Sequence, residues 1–256
     1  MSMTQIKKLM LDLKLHGLAA ALEKSLEEAK RDDWSKEEWL DALLQAEADF
    51  RDRRKTARRI KQSKLKSHSS FEEFDFSAKR SITKAEIREL YSLKWLTEGR
   101  PLVLVGPAGV GKTYLAQAIG MHACESGKTV LFLSMNHFLE QQAEARHTGT
   151  YLKFRDRMIR PDLLALDDFG MKKLTAVEAE DLREILEERS YGKSTLVTTQ
   201  LPVDHWPEVI PDPVLAEAIR DRMDGPALHV KIVGESYRKV IIAKKAEKAK
   251  KEGAAA

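Results

Sequence analysis

The sequence predicts an α/β core, a parallel five-stranded sheet between helices, preceded by a small all-α domain. Five short apolar runs, LVLV (102–105), TVLFL (129–133), LLAL (163–166), STLVTT (194–199) and LHVKIV (228–233), alternate with segments long enough for helices. That alternation is the pattern of a parallel sheet covered on both faces. The first run leads into the glycine-rich stretch GPAGVGKT, and the chain before residue 67 carries only helical periodicity.

In the first 30 residues Ile6, Leu9, Met10, Leu13, Leu18 and Leu22 recur every three to five positions, one apolar stripe on a helix that Gly17 is expected to divide. A second helix starts at SKEE, where Ser35 caps free amides and Glu38 returns the bond. Trp39, Leu43, Ala46 and Phe50 line its inner face, and a basic run continues it. From Arg51 to Lys66 nine Lys or Arg stand against Asp52 alone. SHSSFEEFDFS (67–77) breaks the periodicity. The expected domains are therefore a helical N-terminal region (1–75), the α/β core (76–245) and a basic tail (246–256). Thr83 and Glu86 form a second capping box, opening a helix expected to end near Glu98-Gly99.

Composition narrows the function. Of 256 residues 33% are charged, and no apolar run approaches the roughly 18 to 20 needed to span a bilayer. With one cysteine no internal disulfide forms, and the start carries no secretory pattern, so a soluble cytoplasmic protein without a membrane partner is expected. The seven histidines lack metal-ligand spacing. Cys124 and Trp206 are read as packing residues.

Gly106 to Thr113 satisfies G-x-x-x-x-G-K-[ST] between a β run and an amphipathic helix, where backbone N–H groups and a helix N-terminus converge on an anion. The expected nucleotide contacts are Gly106, Pro107, Ala108, Gly109, Val110, Gly111, Lys112, Thr113 and Tyr114. Lys112 is expected to reach the β and γ phosphates, and the Thr113 hydroxyl to bind magnesium. LLALDDFG ends another strand in two acids: Asp167 is expected to hold the magnesium shell and Asp168 to orient the attacking water. The cofactors so implied are ATP and Mg2+.

At these residues the chain resembles the AAA+ ATPases, in the initiator and helicase-loader branch, and most closely the IstB transposition helpers of insertion sequences. GPAGVGKTYLAQAIG, LLALDDFG, TTQLPVDHW, LAEAIRDRM and GESYRK carry the resemblance over about residues 80 to 245. The resemblance implies a polar sensor at Gln200 and an arginine finger at Arg222, donated to a neighbouring subunit's ATP, with Arg220 the weaker candidate. It implies a second sensor arginine at Arg238. It also implies a homo-oligomeric ring or spiral on duplex DNA, and a partner transposase. Most AAA+ proteins pair the strand-end Asp with Glu. Asp168 is shorter by one carbon–carbon bond, about 1.5 Å, which predicts slow hydrolysis.

Two basic regions are expected to meet DNA phosphates without reading bases. One contains Arg146, Lys153, Arg155, Arg157 and Arg160, the other Arg54 and Arg58. The competing readings are a DnaC-like replicative helicase loader and an ATP-gated adaptor that hardly hydrolyses.

Overall fold

The computed structural model describes residues 2–66, 69–71, 74, 81–225 and 227–237. The chain divides into two compact units, Met1–Arg59 and Ile60–Ala256, a boundary upstream of the one the sequence predicts. The tail 246–256 lies outside the described residues.

The first unit contains α1 (Met3–Asp12), α2 (His16–Arg31) and the greater part of α3 (Lys36–Ser63). Leu18, Leu22 and Leu43 are its buried centre, with Met3, Ile6, Met10 and Trp39 packed around them. The Ser35–Glu38 box forms as expected, with the Ser35 amide donating to Glu38 at 2.7 Å and the Glu38 amide to Ser35 Oγ at 3.1 Å. The expected break at Gly17 does not. The chain turns earlier, at Lys14, whose φ of 59° is left-handed, and Gly17 sits in the first turn of α2. Its role is close approach: a Cβ there would lie 2.6 Å from the Ala46 carbonyl oxygen and 2.7 Å from Phe50 Cβ.

The second unit holds α4 (Lys84–Ser92), α5 (Lys94–Thr97), β1 (Leu102–Val105), α6 (Lys112–Glu125) and β2 (Val130–Ser134). There follow α7 (Met135–His147), α8 (Tyr151–Ile159), β3 (Leu163–Phe169), α9 (Ala176–Arg189), β4 (Ser194–Thr199), a 3-10 turn (Val203–Glu208), α10 (Pro213–Asp224) and β5 (Leu228–Lys231). The Thr83–Glu86 box opens α4. Leu93, left-handed at φ 52°, divides the single helix expected there into α4 and α5.

The five strands are parallel in the order β2-β3-β4-β1-β5. Alternate side chains enter two cores. Leu102, Leu104, Leu163, Ala165 and Leu196 pack on the side of α6, with Leu115, Ile119 and Ala123. Val103, Leu164, Leu166 and Val197 pack on the other, with residues of α7 to α10 such as Phe138, Met158, Leu182 and Ile219. Each fully buried Leu or Ile contributes on the order of 1.5–3 kcal/mol. Burial on both faces is why the strands read as continuous apolar runs. Trp206 is buried with its indole N–H on the Leu201 carbonyl at 3.2 Å, and Cys124 is buried, as expected of packing residues.

One buried charge ties the layers. Arg189, 1% exposed, donates to the carbonyls of Met158, Ile159 and Pro161 at 2.9–3.1 Å and to Thr195 Oγ1 at 3.0 Å. It joins the end of α8 to the start of β4. Burial, opposed only by the more distant Asp162 charge, pushes its pKa down to about 9.

Because β4 lies between β1 and β3, the loop after β1 and the acidic end of β3 flank one strand's carboxyl end. Strand spacing of about 4.8 Å sets them roughly 10 Å apart, at the crevice where open α/β sheets bind ligands.

Candidate nucleotide-binding site

The loop is shaped by three glycines with separate reasons. Gly106 donates its amide to the Thr199 carbonyl at 3.1 Å, and a Cβ there would lie 2.1 Å from the Ile232 oxygen. Gly109 and Gly111 take φ of 81° and 102°, left-handed values that cost L side chains energy. Val110 is fully buried and anchors the loop, while Pro107 and Ala108 face solvent. No side chain caps α6, which begins at Lys112. An uncapped helix start with converging amides favours an anion.

Lys112 is 5% exposed, and its ammonium donates to the Gly106 and Pro107 carbonyls at 2.8 and 2.9 Å, inside the curl of the loop. The next side chain, Thr113, donates its hydroxyl to Asp167 Oδ1 at 3.0 Å. Thr198 of β4 donates to the same oxygen at 2.6 Å and accepts the Asp168 amide at 2.9 Å. Burial, together with the Asp168 charge, raises the Asp167 pKa above the ordinary carboxylate range despite these donors and Lys112. A buried carboxylate with uncompensated charge suits a divalent cation. Thr113 and Asp167 would hold it. Among the described residues no cluster of three or more His, Cys, Asp or Glu forms a separate metal site.

The two acids point differently because β3 carries a bulge. Leu166 pairs with Val197 and Phe169 with Thr199, so two residues of β3 face one of β4. Asp168 takes φ 60° and is exposed, while Asp167 turns inward. Gln200 follows β4, and its amide donates to Met171 Sδ at 3.2 Å, a weak acceptor. The Tyr114 phenol is engaged with Ser70, donating to its carbonyl at 3.1 Å and accepting its amide at 3.2 Å. The segment after β5 lies against the loop. Tyr237 donates its amide to the Gly109 carbonyl at 2.9 Å, and Ser236 Oγ is 2.2 Å from where a Gly109 Cβ would sit. Arg238 lies outside the described residues.

Lys112, Thr113, Asp167, Asp168 and Gln200 thus gather at the carboxyl ends of the strands. Arg222 does not join them. It is paired with Glu187 of α9 and donates to the Ala218 carbonyl at 2.7 Å. Its neighbours in a recess of about 180 Å³ include Pro101, Lys193 and Thr195, at the amino ends of β1 and β4. Arg220 pairs with Glu217 at 2.9 Å.

The basic residues on α7 and α8 also divide. Arg146 grips buried Asp181 with two nitrogens and stacks over Tyr151, 4.3 Å from the ring centroid. Hydrogen bonds from Arg146 and Gln142 outweigh the burial of Asp181 and lower its pKa. Arg155 pairs with Glu184 at 2.6 Å. These two arginines hold α7 and α8 to α9. Lys153, Arg157 and Arg160 are exposed, with Arg157 also bonded to Gln141. Arg54 and Arg58 are exposed on α3.

Sequence reasoning missed Thr198, Glu187 and Arg189. A polar residue inside the buried run STLVTT was the available signal for Thr198. Nothing in the local pattern marks the other two.

Comparison with known proteins bears on the family and the fold. A relative from Sinorhizobium fredii, an insertion-sequence ATP-binding protein, is 35% identical over 225 residues, 88% of this chain and 92% of the relative. An ATP-binding protein in an insertion sequence of Mycobacterium tuberculosis is 33% identical over 227 residues, 88% and 90% of the two chains. The replication initiator DnaA, solved with AMPPCP and single-stranded DNA, superposes with a TM-score of 0.57 at 22% identity over 72% of this chain and 56% of that one. DnaI superposes with a TM-score of 0.54 at 22% identity over 66% and 90%. The core has the AAA+ P-loop fold of these structures. The model of the IstB-like ATP binding proteins matches residues 7–246, and the chain belongs to that family.

Proposed function

We propose that the protein is an ATPase that binds duplex DNA and regulates transposition. It assembles on target DNA, selects and remodels it, and stimulates a cognate transposase. The observation that carries this reading is the distance between its two halves of one site. Lys112, Thr113, Asp167 and Asp168 lie at the carboxyl end of the sheet, and Arg222 lies at the amino end. On this reading the arginine serves the loop of a second copy, and hydrolysis belongs to the oligomer. The naming of relatives after insertion sequences supports transposition over helicase loading.

Lys112 binds the β and γ phosphates as a point charge once it exchanges the Gly106 and Pro107 carbonyls for phosphate oxygens. Thr113 and Asp167 would hold a magnesium ion, which would supply charge neutralisation at those phosphates. Asp168 orients the attacking water, Gln200 contacts the γ phosphate, and Arg222 stabilises developing charge from the neighbour. The exposed Lys153, Arg157 and Arg160, with Arg54 and Arg58, contact DNA phosphates. Phosphate release, measured with and without mixed-sequence duplex and transposase, tests the reading: stimulation by both is expected. Stimulation by a replicative helicase instead would favour a loader.

A further inference from the structure

Two arginines border the recess at the amino end of the sheet, and their partners differ. Arg189 directs its nitrogens at neutral acceptors: Thr195 Oγ1 and the carbonyls of Met158, Ile159, Pro161, Asp162 and Ser194. It is fixed. Arg222 is matched only in part. Its Nη2 pairs with Glu187 Oε2, and its Nη1 donates to the Ala218 carbonyl one turn back at 2.7 Å. The third nitrogen, Nε, is buried and meets no hydrogen-bond partner among the described residues.

A buried donor left bare opposes the arrangement that buries it. With 22% of its side chain exposed, Arg222 has a way out that Arg189, at 1%, lacks. Glu187 is equipped to lose it. Arg183, one turn earlier on α9, stands 3.8 Å from the same Oε2 while it pairs with Glu180 at 2.8 Å. When Arg222 leaves, the Glu187 carboxylate therefore keeps a cation beside it and remains in contact with solvent. Neither half of the ion pair is stranded.

We propose that Glu187 is a positioning residue that holds Arg222 on its own subunit and yields it when a second copy docks with nucleotide in its loop. The proposal rests on the reading of Arg222 as an arginine given to a neighbour. A triphosphate presents several anionic oxygens that a guanidinium fork can take two at a time, whereas Glu187 offers a single carboxylate shared with Arg183. The exchange runs toward phosphate when phosphate is there. An empty loop gives Arg222 nothing to leave for. Glu187 thereby ties the joining of subunits to nucleotide, because a subunit whose arginine is held is not competent to dock, and the apparent dissociation constant rises in proportion.

The test mixes full-length variants over a range of concentrations with ATP and Mg2+. Lys112→Ala supplies the arginine without a working loop and Arg222→Ala the loop without the arginine, so hydrolysis reports crossed interfaces alone. Adding Glu187→Gln to the arginine donor should lower the concentration for half-maximal hydrolysis about two- to fivefold, the range of a part-exposed ion pair, with turnover at saturation unchanged. Glu187→Ala, which also removes the acceptor oxygens, should lower it at least as far. Either change in the loop donor should move nothing, a contrast that a merely structural role would not produce. Equal shifts from both placements, or lost saturating turnover with the altered arginine donor, overturn the proposal: Glu187 then supports the fold or aims the arginine in the assembled site. Unmoved midpoints with normal recovery overturn it too and leave the donated arginine standing. No recovery with any donor, Glu187 intact or replaced, overturns the reading of Arg222 itself and the role of Glu187 with it.

Discussion

The Thr113 hydroxyl donates to Asp167 Oδ1 at 3.0 Å, joining residues 54 apart in sequence. Thr198 donates to that same oxygen from the strand between them. One carboxylate oxygen therefore holds the loop helix, β3 and β4 in register at the end of the sheet.

That carboxylate is costly when ionised. Its folded pKa is raised by burial, so the unfolded chain ionises first as pH rises and stability falls from the ordinary carboxylate range up to the folded pKa, staying lower above it. Asp167→Asn keeps the Oδ1 acceptor and removes the charge. The variant should be more stable than the wild type in nucleotide-free protein, with a higher Tm, while losing magnesium-dependent ATP hydrolysis. A lower Tm with intact hydrolysis would remove Asp167 from this role.

Asp168 sits at φ 60° in the bulge, a conformation Asp and Asn tolerate better than longer residues. That favours Asp over Glu at this position. Asp168→Asn should keep the backbone and nucleotide affinity and lower kcat by on the order of 10²-fold or more. Single-turnover measurement separates the two effects.

If Arg222 acts on a neighbour's nucleotide, two dead proteins should make a live one. Arg222→Ala and Lys112→Ala are each expected to hydrolyse little, and their mixture to recover hydrolysis at interfaces that combine an intact loop with an intact arginine. No recovery across mixing ratios would place the arginine outside the site.

Gly17→Ala tests close helix approach against helix propensity. Alanine is favoured by about 1 kcal/mol inside a helix, yet its Cβ would meet the Ala46 oxygen at 2.6 Å. Overpacking costs typically 1–3 kcal/mol, so the first unit should be destabilised in urea unfolding followed by a signal from Trp39. Stabilisation would mean that α2 and α3 shift apart freely.

Arg189→Met should be among the most damaging single changes. It strips donors from three carbonyls and Thr195 Oγ1, and each buried acceptor left bare costs about 1–3 kcal/mol. Thermal unfolding well below the wild type is expected, and a neutral outcome would mean water reaches the vacated space.

The elements whose causes are local were legible in the chain. The Ser35 and Thr83 caps depend on residues three apart, the strands on short apolar runs, and the loop on glycines and a lysine within eight positions. Gly17 misled because a glycine's effect depends on what packs over it, and here α3 lies 2.6 Å from the missing Cβ. Arg146 and Arg155 read as free charge because their partners, Asp181 and Glu184, lie about 30 positions away.

What the sequence determined by itself was the inventory of the site: a phosphate loop, a strand ending in two acids, and a helix rich in unopposed arginine. Only the tertiary structure decided their use. Setting β4 between β1 and β3 brought Thr198 onto Asp167, the bulge turned Asp168 outward, and α10 carried Arg222 to the far end of the sheet. Those outcomes depend on strand order and helix packing, long-range pairings that no short stretch of residues encodes.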